Sequence, residues 1–257
     1  MKKVNEKKYY DQIKDWNFDE FQIVSDNLTN WNMYEILKKI TNKNSKILDL
    51  GTGGGEKVLS SFPSYAKEIL GTDYSSAMIE TANKNLQNSG RTNISFRVMN
   101  NLAMNVPDNY FDVVVARNTI TDPKQIIKTL KPNGILLIRG VDMYDCLELK
   151  LIFGRGQGTT NNTPISIIDY ENVLKAGFKD VELVPIHQRE YFKNREVLKK
   201  FLLKVPILDE FSKEDGDYDN FYSPSIEDDK LDEYIKRNTS AKGICLYRRY
   251  FGIFAKK

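Results

Sequence analysis

The stretch Lys46–Val58, KILDLGTGGGEKV, decides the fold. An apolar run typical of a buried strand meets four glycines within five residues, Gly51 to Gly55. Backbone without Cβ atoms turns tightly into a helix and lets a ligand approach closely. The run reads as a strand, a cofactor-binding turn and the start of a helix.

Spacing separates the cofactor classes that use such turns. A dinucleotide fingerprint, G-x-G-x-x-G, counted from Gly51 and Gly53 puts its third glycine on Glu56, where a carboxylate would face a pyrophosphate. A nicotinamide-dependent oxidoreductase is therefore a distant alternative. A P-loop counted from Gly51 also puts Glu56 at its sixth position, followed by Lys57 and Val58, and so fails as a phosphate cradle.

The run does match D-x-G-x-G-x-G, through Asp49, Gly51, Gly53 and Gly55 with Thr52 between them. This resembles the first motif of the class I S-adenosylmethionine-dependent methyltransferases. An acid suits that cofactor, which presents an ammonium and a sulfonium where a dinucleotide presents phosphates. The resemblance continues in order. Asp73 ends the next strand in EILGTDYSSAMIETA, where the family binds both ribose hydroxyls, and Tyr74 would flank the adenine. Asn100 and Asn101 stand where the family often carries an acid for the adenine, and an amide oxygen can accept from the same amino group. YFDVVVAR and IIKTLKPNGILLIRG resemble the fourth strand and the helix, turn and fifth strand. The similarity runs from about Lys46 to Val141.

Apolar runs alternate with helical patterns from Lys46 onward, as in stacked βαβ units. The expected strands are SKILDL, EILGTD, ISFRVMN, YFDVVVAR and GILLIRGV, then DVELVPIHQREYF and GICLYRRYFGIFAK. The helix YSSAMIETANKNLQNSG starts at a Ser75 cap and closes on Gly90, and TDPKQIIKTLKPNG opens on Asp122 and Pro123. FGRGQGTTNNTP reads as a flexible loop and SIIDYENVLKAGF as a helix. The resulting fold is α/β: a Rossmann-like seven-stranded, mainly parallel sheet with helices on both faces, an antiparallel last strand and a small helical cap. Residues 1–44 form an aromatic-rich N-terminal lid segment and 45–257 the methyltransferase domain, with the cap inserted at roughly 193–242. In NWNMYEILKKI, Trp31, Tyr34, Leu37 and Ile40 share a helical stripe that would pack on the sheet, leaving Tyr9, Tyr10 and Trp16 as lid residues.

Composition narrows the setting. Among 257 residues, 38 Lys and Arg nearly balance 35 Asp and Glu, which does not mark a nucleic-acid binder. Cys146 and Cys245 lie far apart without a metal-binding spacing, so neither a disulfide framework nor a metal site is indicated and a cytoplasmic setting is expected. The N-terminal stretch lacks the apolar core of a signal peptide, and no run is apolar enough to span a membrane.

The resemblance implies methyl transfer by in-line displacement, with S-adenosylmethionine as cofactor and no obligatory base. After the fourth strand the chain reads Arg117-Asn118-Thr119-Ile120, not the N/D-P-P-Y/F motif of enzymes that act on adenine amines. Arg117 is a candidate for the cofactor carboxylate or an anionic substrate. His187 is the single histidine, and with Asp142 and Tyr144 it is a weak candidate for catalysis. A small-molecule acceptor is the preferred reading. An rRNA or tRNA base is the alternative, carried by basic and aromatic residues that include Arg189, Lys193, Tyr247, Arg248 and Arg249. The acidic stretch from Asp209 to Glu233 opposes it. A non-catalytic cofactor-binding protein is the remaining alternative.

Overall fold

The computed structural model describes residues 3–13, 16–212 and 225–257, so the acidic residues Glu214, Asp215, Asp217 and Asp219 lie outside it. In chain order the elements are β1 (Lys3–Asn5), α1 (Glu6–Ile13), β2 (Val24–Asn27), α2 (Met33–Ile40), β3 (Lys46–Leu50), α3 (Glu56–Ser61), β4 (Glu68–Asp73), α4 (Ser76–Ser89), β5 (Ile94–Val98), β6 (Phe111–Arg117), α5 (Pro123–Thr129) and β7 (Leu130–Val141). They continue with α6 (Leu147–Phe153), α7 (Ile165–Lys175), β8 (Lys179–Phe192), α8 (Arg195–Lys204), β9 (Glu210–Ser212), α9 (Asp228–Asn238), β10 (Thr239–Ser240) and β11 (Gly243–Lys256).

The main sheet runs β2-β8-β11-β7-β6-β3-β4-β5, with β10 hydrogen-bonded to β11. The strands from β7 to β5 pair in parallel. β11 is antiparallel to both β7 and β8. The seven expected strands are all present, but the sheet has nine, because β2 and β10 join it. Neither carries an apolar alternation that would have announced it. β2 is the four-residue VSDN, held by its backbone pairing from Val24 opposite Tyr191 to Asn27 opposite Gln188.

Both faces of the central strands are covered, which is why KILDL and FDVVVAR are nearly continuous in apolar residues. On one face Leu37 of α2 and Val58 of α3 meet Ile47, Ile69 and Val115. On the other, Ile126 of α5 and Val173 of α7 meet Leu48, Val114 and Phe251. The Ser75 hydroxyl caps α4 by accepting from Met78 N, and Gly90 closes the helix at φ +67°. α5 stops at Thr129, before its expected Pro-Asn-Gly end, because Pro132 draws the preceding backbone into an extended conformation. Helix α6 precedes the glycine-rich loop and was not expected from the sequence.

β8 and β11 are the longest strands, each 14 residues. Their pairing extends past Val141, where β7 ends opposite Tyr250, so they overhang that end of the sheet. A separate apolar cluster forms on the overhang from Phe192, Leu246, Phe201 of α8, Leu231 of α9 and Phe21 of the N-terminal segment. Among the described residues no helix is long and apolar enough to cross a membrane.

Candidate functional site

The glycine turn leaves the carboxyl end of β3 and is tied to β4. The N–H groups of Gly51 and Thr52 both donate to Thr72 O, at 2.8 Å each. Gly51 and Gly53 take φ values of +72° and +57°, in the left-handed region that disfavours side chains. A Cβ on Gly51 would stand 2.6 Å from that of Thr119, so glycine is required there for space as well as conformation. Gly55 caps α3, and Glu56 occupies the first helical turn.

Asp49 lies on β3 immediately before the turn and is 5% exposed. Burial pushes its pKa up to about 7. The Thr52 hydroxyl and the Arg117 guanidinium pull it down, while the charge of Asp73 adds to the rise. No hydrogen bond of full geometry joins Thr52 to Asp49. Tyr34 of α2 feels the charges of Arg117 and Asp49, and burial raises its phenol pKa.

Asp73, at the end of β4, accepts from Gly53 N at 2.9 Å and from Ser75 N at 3.0 Å. Burial raises its pKa, and the backbone N–H groups of Ser75, Gly53 and Tyr74 offset that rise. Tyr74 is exposed. The Ser75 hydroxyl donates to Asp11 of α1, which docks the N-terminal segment beside this acid. Trp16 closes further over the turn: its Cδ1 would lie 3.0 Å from a Cβ on Gly53, and its backbone N–H donates to Glu56 Oε1 at 3.3 Å. Trp16 stacks on Phe18, and Phe18 packs against Phe201 of α8, so an aromatic path joins the turn to the overhang.

The two asparagines after β5 differ in environment. Asn100 is exposed, and its Oδ1 accepts from Leu102 N at 2.9 Å. Asn101 is buried, and its amide donates to Thr119 Oγ1 and Ile120 O. Among the described residues, the buried side-chain polar atoms without a partner are Tyr34 Oη, Thr52 Oγ1 and Asn101 Oδ1. Thr52 is in the turn, Asn101 bonds the threonine that faces Gly51, and Tyr34 is coupled to Asp49. Orphaned polar atoms cost free energy when buried and collect where a ligand completes them.

The model of the family described as methyltransferase domain matches residues 41–177, more than half of the chain. The chain belongs to the methyltransferase domain family. Its domain is of the class I, S-adenosylmethionine-dependent type, with the Rossmann-like sheet described above. The chain is 26% identical to a phosphoethanolamine N-methyltransferase of Plasmodium falciparum over 209 residues, covering 74% of this chain and 75% of that one. It is 32% identical over 101 residues to a ribosomal protein L11 methyltransferase of Listeria innocua, a match covering 37% of this chain and only 32% of that relative's length. In structure it resembles the YcgJ protein of Bacillus subtilis, with a TM-score of 0.57 at 15% identity, covering 88% of this chain and 97% of that one.

The methyltransferase cofactor, S-adenosylmethionine, fits what the turn offers. The orphaned hydroxyl and amide oxygens gather at the turn, and the acids Asp49 and Asp73 beside it suit a cation and hydroxyls. Glu56 in the first turn of α3 argues against a dinucleotide.

Two of the three catalytic candidates, Asp142 and His187, line one cavity elsewhere, and Tyr144 is not part of its lining. Asp142, just past β7, is 9% exposed and accepts from Tyr144 N at 2.9 Å and from Ser166 Oγ at 2.9 Å. Asp142, Ser166, His187 and Arg249 line a cavity of about 140 Å³, with Leu183, Pro185, Tyr250 and Phe251 completing its wall. His187 Nδ1 and Tyr247 Oη share a hydrogen bond of 2.7 Å. Sequence reasoning reached Asp142 and His187 but not Ser166, which carries no motif and arrives only through the packing of α7.

The basic face expected of an RNA binder is partly neutralised. Arg248 is buried, and it bonds Asp145 through Nε at 3.0 Å and Glu190 through Nη1 at 2.9 Å. It therefore supports the overhang and is no platform for bases. Arg195 and Lys199 pair with Asp228, Arg237 with Glu233 and Lys242 with Asp26.

Proposed function

We propose that the whole chain transfers the methyl group of S-adenosylmethionine to a nitrogen or oxygen of a small-molecule acceptor. The observation that carries the donor half is the gathering of orphaned buried oxygens around the glycine turn. Asp73 would accept from the ribose hydroxyls with the lone pairs that Gly53 and Ser75 leave free, and Tyr74 would cover the adenine. Asn101, not Asn100, is the adenine partner favoured by its unpartnered oxygen. Asp49 and Arg117 would take the ammonium and carboxylate of the methionine end.

When bound, S-adenosylmethionine supplies a methyl group already activated by its sulfonium, so the protein's tasks are orientation and exclusion of water. Of the segment 1–44, only the part from α1 to Trp16 would act as the lid, with Trp16 against the turn, because β2 belongs to the sheet and α2 to its core, and the cap at roughly 193–242 would close the acceptor side. A small acceptor is favoured because Arg248 is buried in ion pairs and Arg195, Arg237 and Lys242 are held by neighbouring acids. The match over three quarters of a phosphoethanolamine N-methyltransferase supports an amine among such acceptors.

The test is calorimetry with S-adenosylmethionine and S-adenosylhomocysteine, followed by methyl-labelled S-adenosylmethionine in a lysate separated into RNA, protein and small molecules. Label in the small-molecule fraction is the expected result. Label in nuclease-sensitive RNA overturns the acceptor, and no cofactor binding overturns the donor.

A further inference from the structure

The cavity lined by Asp142 and His187 has a charge pattern that the donor site does not use. Arg249 lines it, with its guanidinium 5.0 Å from the centre of the Tyr144 ring, and makes no ion pair among the described residues. The adjacent Arg248 is saturated by two acids. Asp142, the acid in the cavity, has each oxygen engaged by Tyr144 N or Ser166 Oγ and forms no salt bridge with Arg249. His187 holds Tyr247 through Nδ1, and its Nε2 has no hydrogen-bond partner among the described residues. A guanidinium and a ring nitrogen thus stand uncommitted beside an apolar wall of Leu183, Pro185 and Phe251. The volume, about 140 Å³, far exceeds the roughly 10–15 Å³ that one water needs.

We propose that this cavity binds the anionic group, carboxylate or phosphate, of the methyl acceptor, with Arg249 as its principal partner and His187 as the second. The inference rests on the methyltransferase reading and deepens it. Arg249 lies on β11, three strands from the glycine turn of β3, about 14 Å across the sheet. Asp142 stands at the end of β7, between the two. An acceptor anchored by its acid at Arg249 would lay a short chain past Asp142 toward the donor. A planar guanidinium favours two-oxygen recognition of such groups, and the apolar wall admits a short hydrocarbon and little more.

The experiment titrates the full chain with inorganic phosphate and with acetate at constant ionic strength, reading melting temperature and calorimetric affinity. Arg249→Gln, Arg249→Lys and His187→Gln are compared with the unaltered protein. The Arg249 side chain holds no acid, so its replacement spares the fold. One of the two anions is expected to bind the unaltered protein. Arg249→Gln should weaken it at least tenfold, and Arg249→Lys should retain part of the affinity. S-adenosylhomocysteine binding should stay within twofold throughout. Equal anion binding in Arg249→Gln, or binding of neither anion to the unaltered protein, overturns the proposal. So does an acceptor, recovered from the labelled small-molecule fraction, that carries no acid. Loss of S-adenosylhomocysteine binding in the unaltered protein would instead count against the methyltransferase reading, leaving the anion result to stand alone.

Discussion

Gly53 N donates to Asp73 Oδ2 at 2.9 Å, so the turn that leaves β3 is fastened to the acid that ends β4. One carboxylate thereby shapes the cradle and, in the proposed function, also holds the ribose. Asp73→Asn keeps one carbonyl oxygen, so an amide nitrogen faces either Gly53 N or Ser75 N, and it loses the charge that strengthens ribose hydrogen bonds. The expected outcome is a melting temperature lowered by several degrees with S-adenosylhomocysteine affinity reduced roughly 10- to 100-fold, in line with hydrogen bonds to charged groups of about 1.5–3 kcal/mol. Calorimetry checks it.

Gly51 and Gly90 separate strain from collision. Both have positive φ, +72° and +67°, but a Cβ at Gly51 meets Thr119 at 2.6 Å while Gly90 has nothing within 4 Å. Gly90→Ala should cost about 1 kcal/mol, the left-handed penalty alone. Gly51→Ala should cost clearly more and abolish cofactor binding. At roughly 2–4 °C per kcal/mol for a chain of this size, thermal melts of the two variants resolve the difference.

Asp49 gives a pH dependence whose sign follows from its raised pKa. The folded protein holds this proton up to about pH 7, whereas the unfolded chain releases it near 3.8, as an ordinary aspartate does. The unfolded state therefore binds fewer protons between these values, and the contribution of Asp49 to stability falls as pH rises through that window. Above it the penalty is constant. Asp49→Asn should match the native protein near pH 4 and gain on it up to neutrality, by at most a few kcal/mol. A cationic ligand beside Asp49 favours its ionised form, so S-adenosylmethionine binding at pH 6 should release protons. Calorimetry in buffers of different ionisation enthalpy should show that release, and Asp49→Asn should remove it.

The candidate donor site could be proposed from sequence because its residues are local: Asp49, the glycines and Asp73 lie within 25 residues. The seven main strands were legible because burial on both faces writes continuous apolar runs. What sequence concealed depends on pairing at a distance. β2 exists because β8 offers it an edge, and Arg248 looks like surface charge until Asp145 and Glu190, 103 and 58 residues away, close on it. Ser166 and Arg249 meet Asp142 only through the packing of α7 and β11, so no spacing pattern recorded them.

Arg248 shows what such concealment means for mutation. Arg248→Met leaves Asp145 and Glu190 buried without their counter-charge, a loss of about 3–5 kcal/mol. The melting temperature should fall by roughly 10 °C or more. Restoring Asp145→Asn and Glu190→Gln alongside it should recover much of that loss, because the stranded charges are then gone. An Arg248 that served RNA instead would leave stability unchanged and lower RNA affinity, so melts and filter binding on the same variants decide between the roles.

Trp16 offers a direct optical reading of the lid. The chain has two tryptophans: Trp16 lies against Gly53, while Trp31 packs on Gly252 of β11, three strands away from β3. A ligand entering the cradle changes the surroundings of the first and not the second. S-adenosylhomocysteine should therefore alter the fluorescence of the native protein, Trp16→Phe should abolish that change, and Trp31→Phe should preserve it. Trp16→Ala, which also breaks the stack on Phe18, should raise the dissociation constant and loosen the N-terminal segment. Faster hydrogen exchange in α1 would show that loosening, whereas unchanged exchange with unchanged affinity would remove Trp16 from any part in closing the site.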